Sequence, residues 1–495
     1  MRMRAAIAMV SAAAATLFGS TPAAAGSADA APAKTYSYLV LTPSAGTAQT
    51  MLAESAVRRA GGVVVYAYGR VGVVVAHGGP GFAAAVRGRP GVARVGATRT
   101  VPLRVRATGR PAARVGGAVS DPAEAAQWNL AMVHAYEAQR ITEGSADVVV
   151  AVADSGVDDR HPDLAPNFDA ALSVDCSTGR PIQAGAAWRA ARSDHGTHVA
   201  GTIAAARDGR GVVGVAPGVR IAALRIGDED ALFHGEASVC GFVWLAEHAH
   251  RGLRIANHSY YNDPWWLLCP DDEDQAVIHE AVRRAAAYAA ARGVLSIAAA
   301  GNDAYDLAHK TVDPHSPNDA VTGRPARPRP VTNACRELPA ELPGVVTVAA
   351  VGANARRASY SNTGLGVVDL AGPGGDVAAG GEGVLSTSGD GGWARKQGTS
   401  MAAPAVTGVA ALIASLHPTW GPDAITARLY ATASRPACAA PCTAAGDIDS
   451  FHGHGLVDAS RAVQPANRPR APTDRRSARG PEPSRAIRSR ATPKR

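Results

Sequence analysis

Val148-Val149-Val150-Ala151-Val152-Ala153-Asp154-Ser155-Gly156 reads as a short apolar strand that stops on a carboxylate and a turn. Apolar residues in an unbroken run, without alternation, mark a strand buried on both faces. Arg220 to Ile226, Leu253 to Asn257, Val294 to Ala300 and Val345 to Val351 are runs of the same type. Helical stretches such as Cys240 to His250 and Gln275 to Arg292 lie between them. This alternation predicts an α/β fold, a mostly parallel sheet with helices on both faces. Chemistry in such sheets collects at the carboxyl ends of strands, where Asp154 stands.

Two more motifs follow, His195-Gly196-Thr197-His198-Val199-Ala200-Gly201 and Gly398-Thr399-Ser400-Met401-Ala402-Ala403-Pro404. The three segments supply an acid, a base and a nucleophile. A serine hydroxyl needs an imidazole to take its proton, and the imidazole needs a carboxylate to hold its tautomer. His195 begins a helical run. Ser400 opens an apolar helix running toward Leu416, as a favoured N-cap beside amides that can stabilise an oxyanion. Pro404 is read as lying in the first turn, where no N–H partner is lost. The order Asp, His, Ser and the flanks Val157-Asp158 and His161-Pro162-Asp163-Leu164 resemble the subtilase (subtilisin-like) serine peptidase family.

The resemblance implies a subtilisin-like sheet with Asp154, His195 and Ser400 as the catalytic residues. It gives Asn302, in Ala299-Ala300-Gly301-Asn302, as the oxyanion-hole donor, and His198 as structural. Substrate would lie along Ser259 and its neighbours Tyr260 and Tyr261, and against Gly301. The two tyrosines replace a glycine-containing segment and would reshape the pocket wall. Asp303 would add negative charge there and favour basic side chains before the scissile bond. Ala405 stands where the family usually has His. No cofactor serves catalysis. Structural calcium would use Asp121, Asp163 and Asp208; the plainer reading is solvated aspartates, with Arg207 and Arg210 neutralising Asp208. Two segments exceed the minimal pattern, Pro264 to Cys269 and the long polar loop Asp303 to Cys335. Trp265 and Trp266 in the first either face substrate or pack on the domain.

Around this core the 495-residue chain divides into units. Residues 1–25 read as a signal peptide, with Arg2 and Arg4, an apolar stretch from Ala5 to Gly19 and Ala23-Ala24-Ala25 for cleavage. No apolar run is long enough for a membrane span. Residues 35–103 read β-α-β-β-α-β, a small ferredoxin-like α+β unit; by resemblance it is an inhibitory propeptide. Residues 104–120 form a linker whose Arg106, Arg110 and Arg114 suit self-processing, and residues 121–465 form the catalytic domain. Residues 466–495 form a solvated, disordered tail. Its ten Lys and Arg against Asp474 and Glu482 carry the whole formal net charge of +8, so no nucleic-acid partner is implied. Six cysteines fit export. Cys438 with Cys442, Cys240 with Cys269 and Cys176 with Cys335 is the pairing expected, one among about 15 arrangements. The reading is a secreted, extracellular and monomeric endopeptidase acting on proteins or peptides. It is made as a self-processed zymogen with its own propeptide as inhibitor. The alternatives are an inactive binding module and a narrow-specificity processing peptidase.

Overall fold

The computed structural model describes residues 34–103, 123–189, 192–319 and 327–465. The expected signal peptide, the whole linker with its three arginines, Asp121 and the whole basic tail lie outside these residues. The N-terminal unit runs β1 (Tyr36–Leu41), α1 (Thr47–Arg59), β2 (Val63–Tyr68), β3 (Val73–Gly78), α2 (Phe82–Val86) and β4 (Arg94–Ala97). Its antiparallel sheet has the order β2-β3-β1-β4. Because side chains alternate along a strand, Tyr38, Val40, Val74 and Ala76 pack on Ala53, Val57 and Phe82 of the unit's own helices. Leu39, Leu41, Val73 and Val75 face the other way, into the core of the larger unit.

The larger unit is built on β5 (Val149–Asp154), β6 (Val174–Asp175), β7 (Arg220–Arg225), β8 (Leu253–His258), β9 (Leu295–Ala299), β10 (Val345–Val351) and β11 (Leu370–Pro373). They form one parallel sheet of order β11-β10-β9-β8-β5-β7-β6. Val150 and Val152 of β5 face a core shared with α3 (His195–Ala204) and α6 (Thr399–Leu416). Val149, Ala151 and Ala153 face a second core with α4 (Gly235–His248) and α5 (Glu273–Ala291). Both faces are therefore dry, as the unalternating apolar runs require. Small residues let these layers close up. A Cβ on Gly408 of α6 would stand 2.6 Å from Val215 Cβ. Helix α6 is long and apolar enough to cross a membrane, but here it is a buried core helix.

Two of the expected disulfides are corrected. The pairs are Cys176–Cys240, Cys269–Cys335 and Cys438–Cys442. Cys240 lies on α4 against the edge strand carrying Cys176, so it cannot reach the loop of Cys269. Cys269 instead joins the two segments that exceed the minimal pattern. Trp266, Leu267 and Val331 pack around that bridge as a small core of their own. Closing a loop with a sequence separation of 66 contributes about 4 kcal/mol in the chain-entropy account. A non-reducing digest of the oxidised protein should return these three linked peptide pairs by mass spectrometry. A Cys240–Cys269 peptide would contradict the fold at this edge.

Candidate active site

Asp154 ends β5 with no solvent exposure. Its carboxylate accepts from Ser155 N at 2.7 Å, and His195 Nδ1 lies 2.8 and 3.0 Å from its two oxygens. With the proton held on Nδ1, the Nε2 lone pair is left to act as a base. The close approach depends on Gly196. A Cβ there would stand 2.4 Å from Gly156 O and 3.0 Å from Asp154 Cβ. Burial opposes charging the imidazole, but the charge and hydrogen bond of Asp154 outweigh it and raise the His195 pKa above 6.5. The Lys396–Asp194 ion pair beside the ring adds opposing influences. His198 sits one turn away, and its Nε2 lies 3.1 Å from both Val384 O and Ala394 O. It pins α3 to the hairpin of β12 (Val384–Thr387) and β13 (Trp393–Lys396), and burial first of all pushes its pKa down to about 4. That agrees with a structural role.

Ser400 does not cap its helix. Helix α6 starts at Thr399 after Gly398, so Ser400 lies in the first turn, where amides have no intrahelical acceptor. Pro404 lies inside the helix rather than in the first turn. Its missing N–H frees the carbonyl of Ser400, four residues back, and Ser259 Oγ donates to that carbonyl at 3.1 Å. The proline thus lets β8's loop lock onto the nucleophile's own backbone. Ser400 Oγ donates to Ser259 O at 3.4 Å, and such a hydroxyl closes its bond to the base only as the substrate complex tightens. Asn302 follows β9. Its Oδ1 accepts from Thr399 N at 2.8 Å and Thr399 Oγ1 at 3.0 Å, which orients Nδ2 toward the other side. A Cβ on Gly398 would stand 3.6 Å from both Ser400 N and Asn302 Oδ1 and 3.7 Å from Asn302 Nδ2, so the Asn302 amide group lies close to the Ser400 N–H.

A cleft of about 330 Å³ holds His195, Ser400, Asn302, Ser259, Tyr260, Tyr261 and Gly301 together. Tyr260 is buried and stacks on Phe233 at 5.1 Å. Tyr261 takes a hydrogen bond from Asn318 at 3.1 Å. Asp303 is corrected: it does not line the cleft, and its carboxylate pairs with His315 at 2.9 Å. The acids that do line it are Asp263 and Glu337. Glu337 carries no motif, and only its place two residues after Cys335 hinted at it. Trp266 packs edge-on against Tyr305 and His315, and Trp265 takes the Arg329 guanidinium at 5.2 Å; neither lines the cleft.

Of the expected calcium ligands, only Asp163 and Asp208 fall among the described residues, and neither is arranged as a ligand. Asp163 Oδ2 accepts from Val212 N at 2.9 Å and from the Trp393 indole at 2.8 Å. These are N–H donors where a cation needs oxygens. Its buried Oδ1 has no partner, which is one ligand of the roughly six to eight that calcium takes. Asp208 is exposed. Arg207, expected to neutralise it, binds Glu124 and Glu143 at 2.8 Å each. Asp163 and Asp208, as placed among the described residues, therefore do not fit calcium.

A profile described as the subtilase family matches residues 145–467. The chain belongs to the subtilase family. It is 32% identical over 368 residues to fervidolysin from Fervidobacterium pennivorans, covering 68% of this chain and 43% of that protein. It is 31% identical over 319 residues to subtilisin E from Bacillus subtilis (strain 168), covering 64% and 66%. The alignments thus span less than two thirds of either relative. In fold alone it resembles the epidermin leader peptide processing serine protease from Staphylococcus aureus, with a TM-score of 0.66 and 22% identity over 88% of this chain and 99% of that one.

Two outcomes are expected of this subtilase. Asn302→Ala should lower kcat by about 10²–10³, the size known for such a donor in subtilisin, with KM little changed. An unaltered kcat would remove Asn302 from the chemistry. The base must be neutral to work, and its pKa is raised. Activity should therefore fall as pH drops, with the acid limb of kcat/KM centred above pH 6.5 in wild type. A limb centred well below that would mean that Asp154 does not hold the imidazole in solution.

Proposed function

We propose that this subtilase is an exported serine endopeptidase, made as a precursor that residues 35–103 hold inactive until it cuts itself. The observation carrying the proposal is the buried Asp154–His195 bond beside a serine in the first turn of α6. In the proposed mechanism His195 removes the Ser400 proton as Oγ attacks a peptide carbonyl. The oxyanion is held by Asn302 Nδ2 and the Ser400 N–H, and Asp154 orients and stabilises the imidazolium. The leaving amine takes the proton, and water repeats the sequence on the acyl-enzyme. A substrate N–H that bonds to Ser259 O would compete with the Ser400 hydroxyl there and free it to turn to His195.

The precursor reading is supported by how the small unit docks. Its apolar face shares a core with α4 and α5. Tyr68 Oη donates to Gly179 O at 2.8 Å, Ala97 N to Asp274 at 2.8 Å and Thr100 N to Asp319 at 2.7 Å. Arg99 pairs with Glu236 at 3.2 Å and with Asp228 at 3.4 Å. Val101 to Leu103 line a cavity that shares Leu232 with the catalytic cleft. The segment that leads to the linker thus leaves the unit alongside the substrate path. Three disulfides suit an oxidising compartment.

Fluorophosphonate labelling of the expressed protein, with Ser400→Ala as control and intact masses of both, tests the proposal. Wild type should take one label and lose the mass of its N-terminal unit, and Ser400→Ala should do neither. A processed, folded wild type that takes no label would favour the inactive binding module.

A further inference from the structure

The proposed mechanism leaves one buried carboxyl group in the cleft without a task. Glu337 is 1% exposed, lines the same cavity as Ser400 and His195, and lies beneath Gly301. A Cβ built on Gly301 would stand 2.9 Å from Glu337 Oε1, so the carboxylate sits behind the residue that precedes the oxyanion donor Asn302. Its Oε2 has no hydrogen-bond partner, nor has the neighbouring Trp266 Nε1. We propose that Glu337 sets the specificity of the pocket for the residue before the scissile bond, and that the enzyme selects Arg or Lys there. The proposal rests on the peptidase reading above and names its substrate class.

The other acids nearby are already served. Glu341 takes Lys310 at 2.8 Å and Arg336 at 3.1 Å. Asp303 has His315, and Asp263 has Asn318 and the Phe233 amide. Glu337 has the Trp266 indole beside its carboxylate but, among the described residues, no cation paired with it. Burial, then the charges of Asp303 and Glu341, push its pKa well above the usual carboxylate range. A like-charged, desolvated carboxylate is costly to ionise while the pocket is empty, and a cation brought to it restores the charged form. Tyr261 lines the same cavity, and an aromatic ring is a favourable neighbour for a long cationic side chain. The carboxylate is also held in place. Glu337 N donates to Glu341 Oε2 at 2.7 Å, and Cys335 is tied to Cys269 just upstream. The stapled loop therefore has a task, which is to carry an acid beneath the oxyanion strand. The competing account is a permanently protonated Glu337 that merely closes an apolar pocket.

The test uses four peptide p-nitroanilides that differ only in the residue before the anilide (Arg, Lys, Phe or Leu), with matured enzyme counted by fluorophosphonate titration. Arg and Lys should exceed Phe and Leu in kcat/KM by about 10²-fold, the scale set by the cost of leaving a buried polar group without its partner. Per labelled site, Glu337→Gln should cut the Arg-to-Phe ratio by about tenfold or more. Benzamidine, a free planar cation, should compete with the Arg peptide in wild type, and this arm needs no variant to fold. Labelled enzyme that hydrolyses Phe or Leu as well as Arg would overturn the proposal. So would an unmoved ratio in Glu337→Gln, or a lack of competition by benzamidine. No label and no hydrolysis of any peptide would overturn the peptidase reading itself, and this proposal with it.

Discussion

A carboxylate with no exposure must be met by donors, and the demands of Asp154 organise much of this molecule. It lies at the end of the central strand β5, between β7 and β8. Its donors are the next amide in the chain and the ring of His195. Supplying that ring requires α3 to begin against the strand end, which in turn requires glycine at Gly196 and the close carbonyl of Gly156. Loss of the partner imidazole would leave a buried charge short of a donor, a change that typically costs several kcal/mol. Stability and the proposed catalysis thus lean on the same contact.

The rest of the site follows from parallel-sheet topology. Strands β9, β8 and β5 are neighbours, and the segments that follow them carry Asn302, Ser259 and Asp154 side by side. Helices α3 and α6 pack on one face of the sheet and present His195 and Ser400 from their first turns. The opposite face, with α4 and α5, receives the N-terminal unit. The helices that carry His195 and Ser400 and the helices that receive the small unit thus lie on opposite faces of one layer. Departure of that unit would uncover apolar surface on α4 and α5, which argues for a firm grip while it remains.

Much of this was legible in residues 148–156, 195–201 and 398–404, because the chemistry there forces residue types that no core position would select. The buried strands were legible for the same kind of reason, since two dry faces leave no room for alternation. Legibility failed where contacts are made by residues far apart in the chain. The pairing of Cys176 with Cys240 depends on the sheet edge. The freed carbonyl of Ser400 is explained only once Pro404 is seen inside the helix with Ser259 opposite. Adjacency in sequence suggested Asp303 as the pocket's acid, yet the turn after Asn302 directs it to His315. Glu337 arrives instead from beyond a loop stapled by Cys269–Cys335. The same limit applied to Asp163, whose partner Trp393 belongs to a distant hairpin.

The central claim is geometric: donors from β9's loop and from α6 converge on one point beside Ser400. A crystal structure of the protein phosphonylated at Ser400 tests it most directly. The account predicts a phosphoryl oxygen within about 2.7–3.1 Å of both Asn302 Nδ2 and the Ser400 amide, with His195 still bonded to Asp154. A phosphoryl oxygen turned to solvent, or met by other donors, would contradict it.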